Sequence, residues 1–156
     1  MKRRFLCLET IEGSILFGAI RRILEDRLRQ TETAMEGFTD PEAARDAVLA
    51  APGDDWFILA CYDIPGDLYS MPLIRAVRSH EPAIVAYIVL LTGQDQVSEG
   101  RMTALGVNMF VPKVNTSTPK PESFVVPLQR EFDRFINFAR KSRRNSRTDF
   151  NPPSQR

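Results

Sequence analysis

Residues 56–67 read WFILACYDIPGD. The run from Trp56 to Cys61 is apolar without a break, too short for a helix and lacking the alternation of a half-exposed strand. That pattern belongs to a central parallel strand buried on both faces. The run ends in a thiol, a ring and an acid (Cys61, Tyr62, Asp63), and Pro65-Gly66 then turns the chain. Open α/β sheets collect their reactive groups at such strand ends, so the question is which of these three residues does chemistry.

The flanking sequence repeats the theme. On one side stand RRFLCLE (3–9), a short buried strand, and RQTETAMEGF (29–38), a second strand with weak alternation. On the other stand AIVAYIVLLTG (83–93), the most strand-like segment, and NMFVPK (108–113). Helical stretches separate them. Between the first two strands, Leu16, Ile20, Ile23 and Leu24 share one face of a helix over 11–29. The next helix starts at Thr39, with Glu42 three residues on and Pro41 near the first turn, and ends at Pro52-Gly53. A third lies around Pro72–Ser79, with Pro72 in its first turn, and a fourth, QVSEGRMTALG (96–106), is closed by Gly106. Leu128, Phe132, Phe135, Ile136 and Ala139 make the apolar stripe of a last one.

Five β-α units in succession predict an α/β fold: a flavodoxin-like three-layer α/β/α sandwich on a five-stranded parallel sheet of order 2-1-3-4-5. The 156 residues suit one domain over 1–141, followed by a basic flexible tail or linker over 142–156, where the pattern fades. From residue 140 onward, six Lys and Arg face Asp149, giving +5 and leaving −4 on the rest of a chain of net +1. A solvated linker or helix end accounts for that charge; nucleic acid is not expected, because no recognition element accompanies it. No apolar run is long enough to span a bilayer, and the start MKRRFLCLET is too short in apolar residues for a signal peptide, so a cytoplasmic protein with no membrane partner is expected. Two cysteines, Cys7 and Cys61, fit a reducing compartment, and the single His80 argues against a His-based metal site or a Ser-His-Asp triad. With no glycine-rich phosphate loop or nucleophile elbow, an enzyme with turnover is not expected.

At the predicted strand ends lie Glu9 and Thr10, Cys61 to Asp63, Thr92, and Lys113. Their order and spacing resemble the receiver (CheY-like) domain of two-component response regulators over about residues 4–141. FLCLET, CYDIPGD, LLTG and GVNMFVPK carry the resemblance, the last two most strongly. It implies a domain whose strand-3 aspartate takes a phosphoryl group from a phosphohistidine, beside a Mg²⁺ ion held by that aspartate, an acid after strand 1 and a backbone carbonyl. It also implies that Lys113 and Thr92 bind phosphoryl oxygens and that Phe110 is the switch aromatic.

This chain departs from the pattern. Four residues before Pro65, where the family has its acceptor, stands Cys61; the acidic pair after strand 1 is Glu9-Thr10; and Val114 follows Lys113 where a proline is usual. Sulfur is a poor ligand for Mg²⁺, and Glu9 with Asp63 is too small a set, so no metal or cofactor is expected. The reading is a degenerate pseudo-receiver acting by protein–protein contact. A histidine kinase, an output domain or another regulator would be its partner, and the strand 4–helix 4–strand 5 face would serve for docking or homodimerisation. A Lys113–Glu9 salt bridge would stand in for the phosphoryl group.

Two alternatives stay open. A shorter loop would make Asp63 the acceptor of a working phosphorelay protein, which strand parity does not exclude, since Cys61 and Asp63 share a face. Lys113 would also favour a thiolate at Cys61, making it a redox sensor, against the plainer role of a small buried hydrophobe. Tyr87, in mid-strand, reads as core.

Overall fold

The computed structural model describes residues 2–8, 14–62, 70–80, 83–92, 99–112 and 122–149. Five strands, β1 (Arg3–Leu8), β2 (Thr33–Phe38), β3 (Asp55–Tyr62), β4 (Val85–Thr92) and β5 (Met109–Pro112), alternate with α1 (Ser14–Gln30), α2 (Pro41–Ala50), α3 (Met71–Ser79), α4 (Glu99–Leu105) and α5 (Glu122–Asp149). All ladders are parallel, in the order β2-β1-β3-β4-β5. The flavodoxin-like fold expected from the alternating pattern is the one observed.

Strand alternation splits the core into two layers. Phe5, Cys7, Phe57, Leu59, Tyr87, Val89 and Leu91 face α1 and α5, where they meet Ile20, Leu24 and the whole α5 stripe Leu128, Phe132, Phe135, Ile136 and Ala139. Leu6, Leu8, Trp56, Ile58, Ala60, Ile88 and Leu90 face α2 and α3, against Val48, Leu73, Ile74 and Val77. The first layer is aromatic at its centre. Phe57 lies 4.8 Å from Phe5 and 5.5 Å from both Phe132 and Phe135, in tilted or edge-on contacts.

Local chemistry fixes the element ends. The cap of α2 is Asp40, whose Oδ1 accepts from the Glu42 amide at 3.0 Å, so the start lies one residue past the Thr39 expected from the capping pattern. Pro41 then takes the first helical position, where its missing N–H costs nothing. Gly106, at φ 76°, closes α4 as expected. Its carbonyl accepts from Arg78 Nε at 2.7 Å, while Arg78 Nη2 reaches Asn108 Oδ1 at 2.8 Å. Asn108 in turn accepts from the Ile88 amide, so one side chain ties α3 to the entry of β5. Gly37 has another reason: a Cβ there would come within 2.9 Å of the Phe17 ring.

The apolar pattern fades before residue 142, but the helix does not stop there: α5 continues to Asp149. Arg143 belongs to the folded body: its Nε and Nη2 lie 3.0 and 2.8 Å from Oδ1 of the buried Asp55, and Nη2 also donates to the Gly53 carbonyl. Residues 150–156 lie outside the described residues.

The neighbouring Asp54 binds Arg4 Nε at 2.7 Å and the Lys2 amide at 3.0 Å. Burial alone would raise its pKa, but the amide and the guanidinium together hold it below the ordinary carboxylate value. Its contribution to stability is therefore present above that ordinary value and fades as pH falls through the lowered pKa.

Candidate functional site

The strand order creates the site. β1 is flanked by β2 and β3, so the chain reverses its direction of winding between β1 and β3, and their carboxyl ends form the crevice of the fold. A continuous row crosses four strands there: Leu8 opposite Ala60, Ala60 opposite Leu90, Leu90 opposite Phe110. At about 4.8 Å per strand the row spans roughly 14 Å. The next row holds Cys61 opposite Leu91, and the last holds Tyr62, Thr92 and Pro112.

The backbone thus brings Cys61 and Thr92 to one edge of the sheet, on adjacent strands and one register step apart. Their side chains lie outside the described residues, as do Glu9, Thr10, Asp63 and Lys113 altogether. The chain positions of these four are nonetheless bounded. Leu8 is the last residue of β1, Tyr62 ends β3 and Pro112 ends β5, so each follows directly, or within two residues, from a strand end on this edge. Phe110 is half-buried on β5 and packs with the α2/α3-side cluster.

The donor set decides what the edge could hold. A Mg²⁺ ion requires several hard oxygen ligands, and the residue types expected here are two carboxylates, two neutral hydroxyls, a thiol and an ammonium. Cys7, on the strand beside β3, is buried.

A buried polar cluster beneath α5 was not anticipated. Glu131 is 1% exposed, yet it sits in the apolar stripe between Leu128 and Phe135. It accepts from the Tyr87 hydroxyl at 2.7 Å and from Arg134 Nη1 at 2.6 Å. Burial, reinforced by the Glu131 carboxylate, pushes the Tyr87 phenol above its ordinary pKa. Tyr87 is core as expected, stacked on Phe57 at 6.1 Å, but it also carries the proton that satisfies a buried acid. The sequence signal was Glu131 itself, an acid three residues after Leu128 on the inward face.

No protein-family model matches the sequence, and no curated protein matches it. Solved structures do. The phosphorylated cyanobacterial phytochrome response regulator RcpA aligns at 13% identity and a TM-score of 0.58, covering 83% of this chain and 90% of that one. A Saccharomyces cerevisiae co-crystal structure of the histidine phosphotransfer signaling protein Ypd1 with the receiver domain of Ssk1 aligns at 17% identity and 0.51, covering 79% and 87%. Rubredoxin oxygen:oxidoreductase from Desulfovibrio gigas also aligns, at 10% identity and 0.56, covering 92% of this chain and 36% of that one. The chain has the fold of response-regulator receiver domains, and an oxidoreductase can contain a similar fold. At these identities the likeness is one of fold, so function rests on the residues at the strand ends.

Proposed function

We propose that this chain is a receiver-like module of signal transduction that works by binding partner proteins, without turnover and without the usual phosphorylation cycle. One observation carries the reading: in a receiver-type sheet, the last-but-one residue of β3, at the crevice between β1 and β3, is Cys61. A thiol there removes both the carboxylate nucleophile and a hard ligand for Mg²⁺. Thr92 at the end of β4, Lys113 after β5 and Phe110 in β5 keep the remaining family pattern. In this reading Lys113 pairs with Glu9 and holds the cleft in one state. The partner is a signalling protein: a histidine kinase, an output domain or another regulator. It docks on the face of β4, α4 and β5, a surface on which two copies of the chain could also meet.

Incubation with acetyl phosphate and Mg²⁺, followed by intact-mass spectrometry, tests this. The expected spectrum shows no phosphoryl adduct. An adduct mapped to Asp63 would establish a phosphorelay protein instead, and one that disappears in Asp63→Asn would settle the acceptor.

A further inference from the structure

The two edges of the sheet are built differently. β5 is four residues long and ends in Pro112, which has no N–H to offer, so that edge is blunted. β2 runs six residues, all in register with β1, with no bulge, proline, lysine or arginine. Its outer side presents a row of backbone donors and acceptors with none of these protections beyond the single Glu36.

Above this edge runs a groove of about 470 Å³ lined by Arg21, Glu25, Leu28, Arg29 and Glu32 of the α1 region and by Thr33 and Ala34 of β2. Arg29 is engaged by Asp26 at 2.9 Å, whereas Arg21, Glu25 and Glu32 form no ion pair with any described residue. The stripe is positive at Arg21 and negative at Glu32. Arg21 lies nine residues before the end of α1 at Gln30, about 14 Å of helical rise, and Glu32 follows in the turn to β2. Such a stripe complements its own antiparallel copy.

We propose that a second copy of this chain docks here: two β2 edges pair antiparallel about a twofold axis perpendicular to the sheet. That operator makes one ten-stranded sheet and keeps both α1 helices on the same face, running antiparallel. It brings Arg21 of each copy toward Glu32 of the other, giving two equivalent ion pairs. The backbone edge supplies affinity and the charges supply register. This surface is separate from the β4–α4–β5 face and does not depend on the signalling reading.

Sedimentation equilibrium over a concentration series tests it. The native chain is expected to dimerise. Arg21→Glu and Glu32→Arg should each weaken the dimer by at least about tenfold, and the double variant should restore it. Amide hydrogen exchange over 33–38 should also slow as concentration rises, a readout that needs no variant. A chain that stays monomeric, a dimer indifferent to both reversals, a double variant that fails to recover, or exchange over 33–38 that ignores concentration would each overturn the proposal.

Discussion

At the scale of single residues, the telling groups are polar ones in apolar places. Tyr87 and Glu131 meet in the aromatic layer beneath α5, and each satisfies the other. Removing the hydroxyl in Tyr87→Phe leaves a buried carboxylate with Arg134 as its remaining short contact, and the expected loss is about 1–3 kcal/mol in a urea melt. The pH dependence has a definite sign. A phenol whose pKa is raised in the folded state supports folding fully below the ordinary tyrosine value of about 10, and that support drains away as pH rises above it. The native chain should therefore lose stability from about pH 10 upward more steeply than Tyr87→Phe. A flat difference between the two proteins across that range would contradict the assignment. In the proposed reading Cys61 poses the opposite case, a residue whose interest lies in what receiver domains hold at that position.

Elements differed in how plainly the sequence announced them. β1, β3 and β4 are legible because strands buried on both faces have no polar residues to break the run. α5 is legible in its middle, where five apolar residues share a face, and obscure at both ends. Pro127 lies inside it and interrupts its hydrogen-bond ladder, which hides a start at Glu122. Its far end carries no apolar stripe after Ala139, so periodicity has nothing to report. What holds that end is Arg143 on Asp55, a pair 88 residues apart in sequence and invisible to any local pattern. Truncating Arg143 to alanine leaves Asp55 buried with its charge uncompensated. Because Arg143 is itself about one-third exposed, the expected cost is on the order of 2 kcal/mol, below that of a fully buried pair. The neighbouring exposed Arg140→Ala should stay within about 0.5 kcal/mol. Equal effects of the two in denaturant melts would mean that α5 ends as a solvated tail after all. Weak alternation in β2 has a physical cause too: an edge strand is half wet on both sides, with buried Thr33 and exposed Ala34 inverting the usual composition.

At the scale of the molecule, the fold was readable because strand and helix alternate without exception and a parallel sheet has few ways to be wound. The candidate site was readable only as spacing. Thr92, Phe110 and Lys113 fall at receiver-like intervals, whereas the register of the β3 loop, Cys61 against Asp63, turns on one proline and not on any periodicity. The observed sheet ends β3 at Tyr62, so Cys61 lies within the strand and Asp63 follows it. The whole account turns on that position. Its most direct test is to restore a carboxylate there and follow phosphoryl incorporation from acetyl phosphate with peptide mapping, Cys61→Asp beside the native chain. The account predicts label at residue 61 in the variant and none on the native protein. Label on Asp63 in either protein would place the acceptor two residues later and make this a working phosphorelay domain.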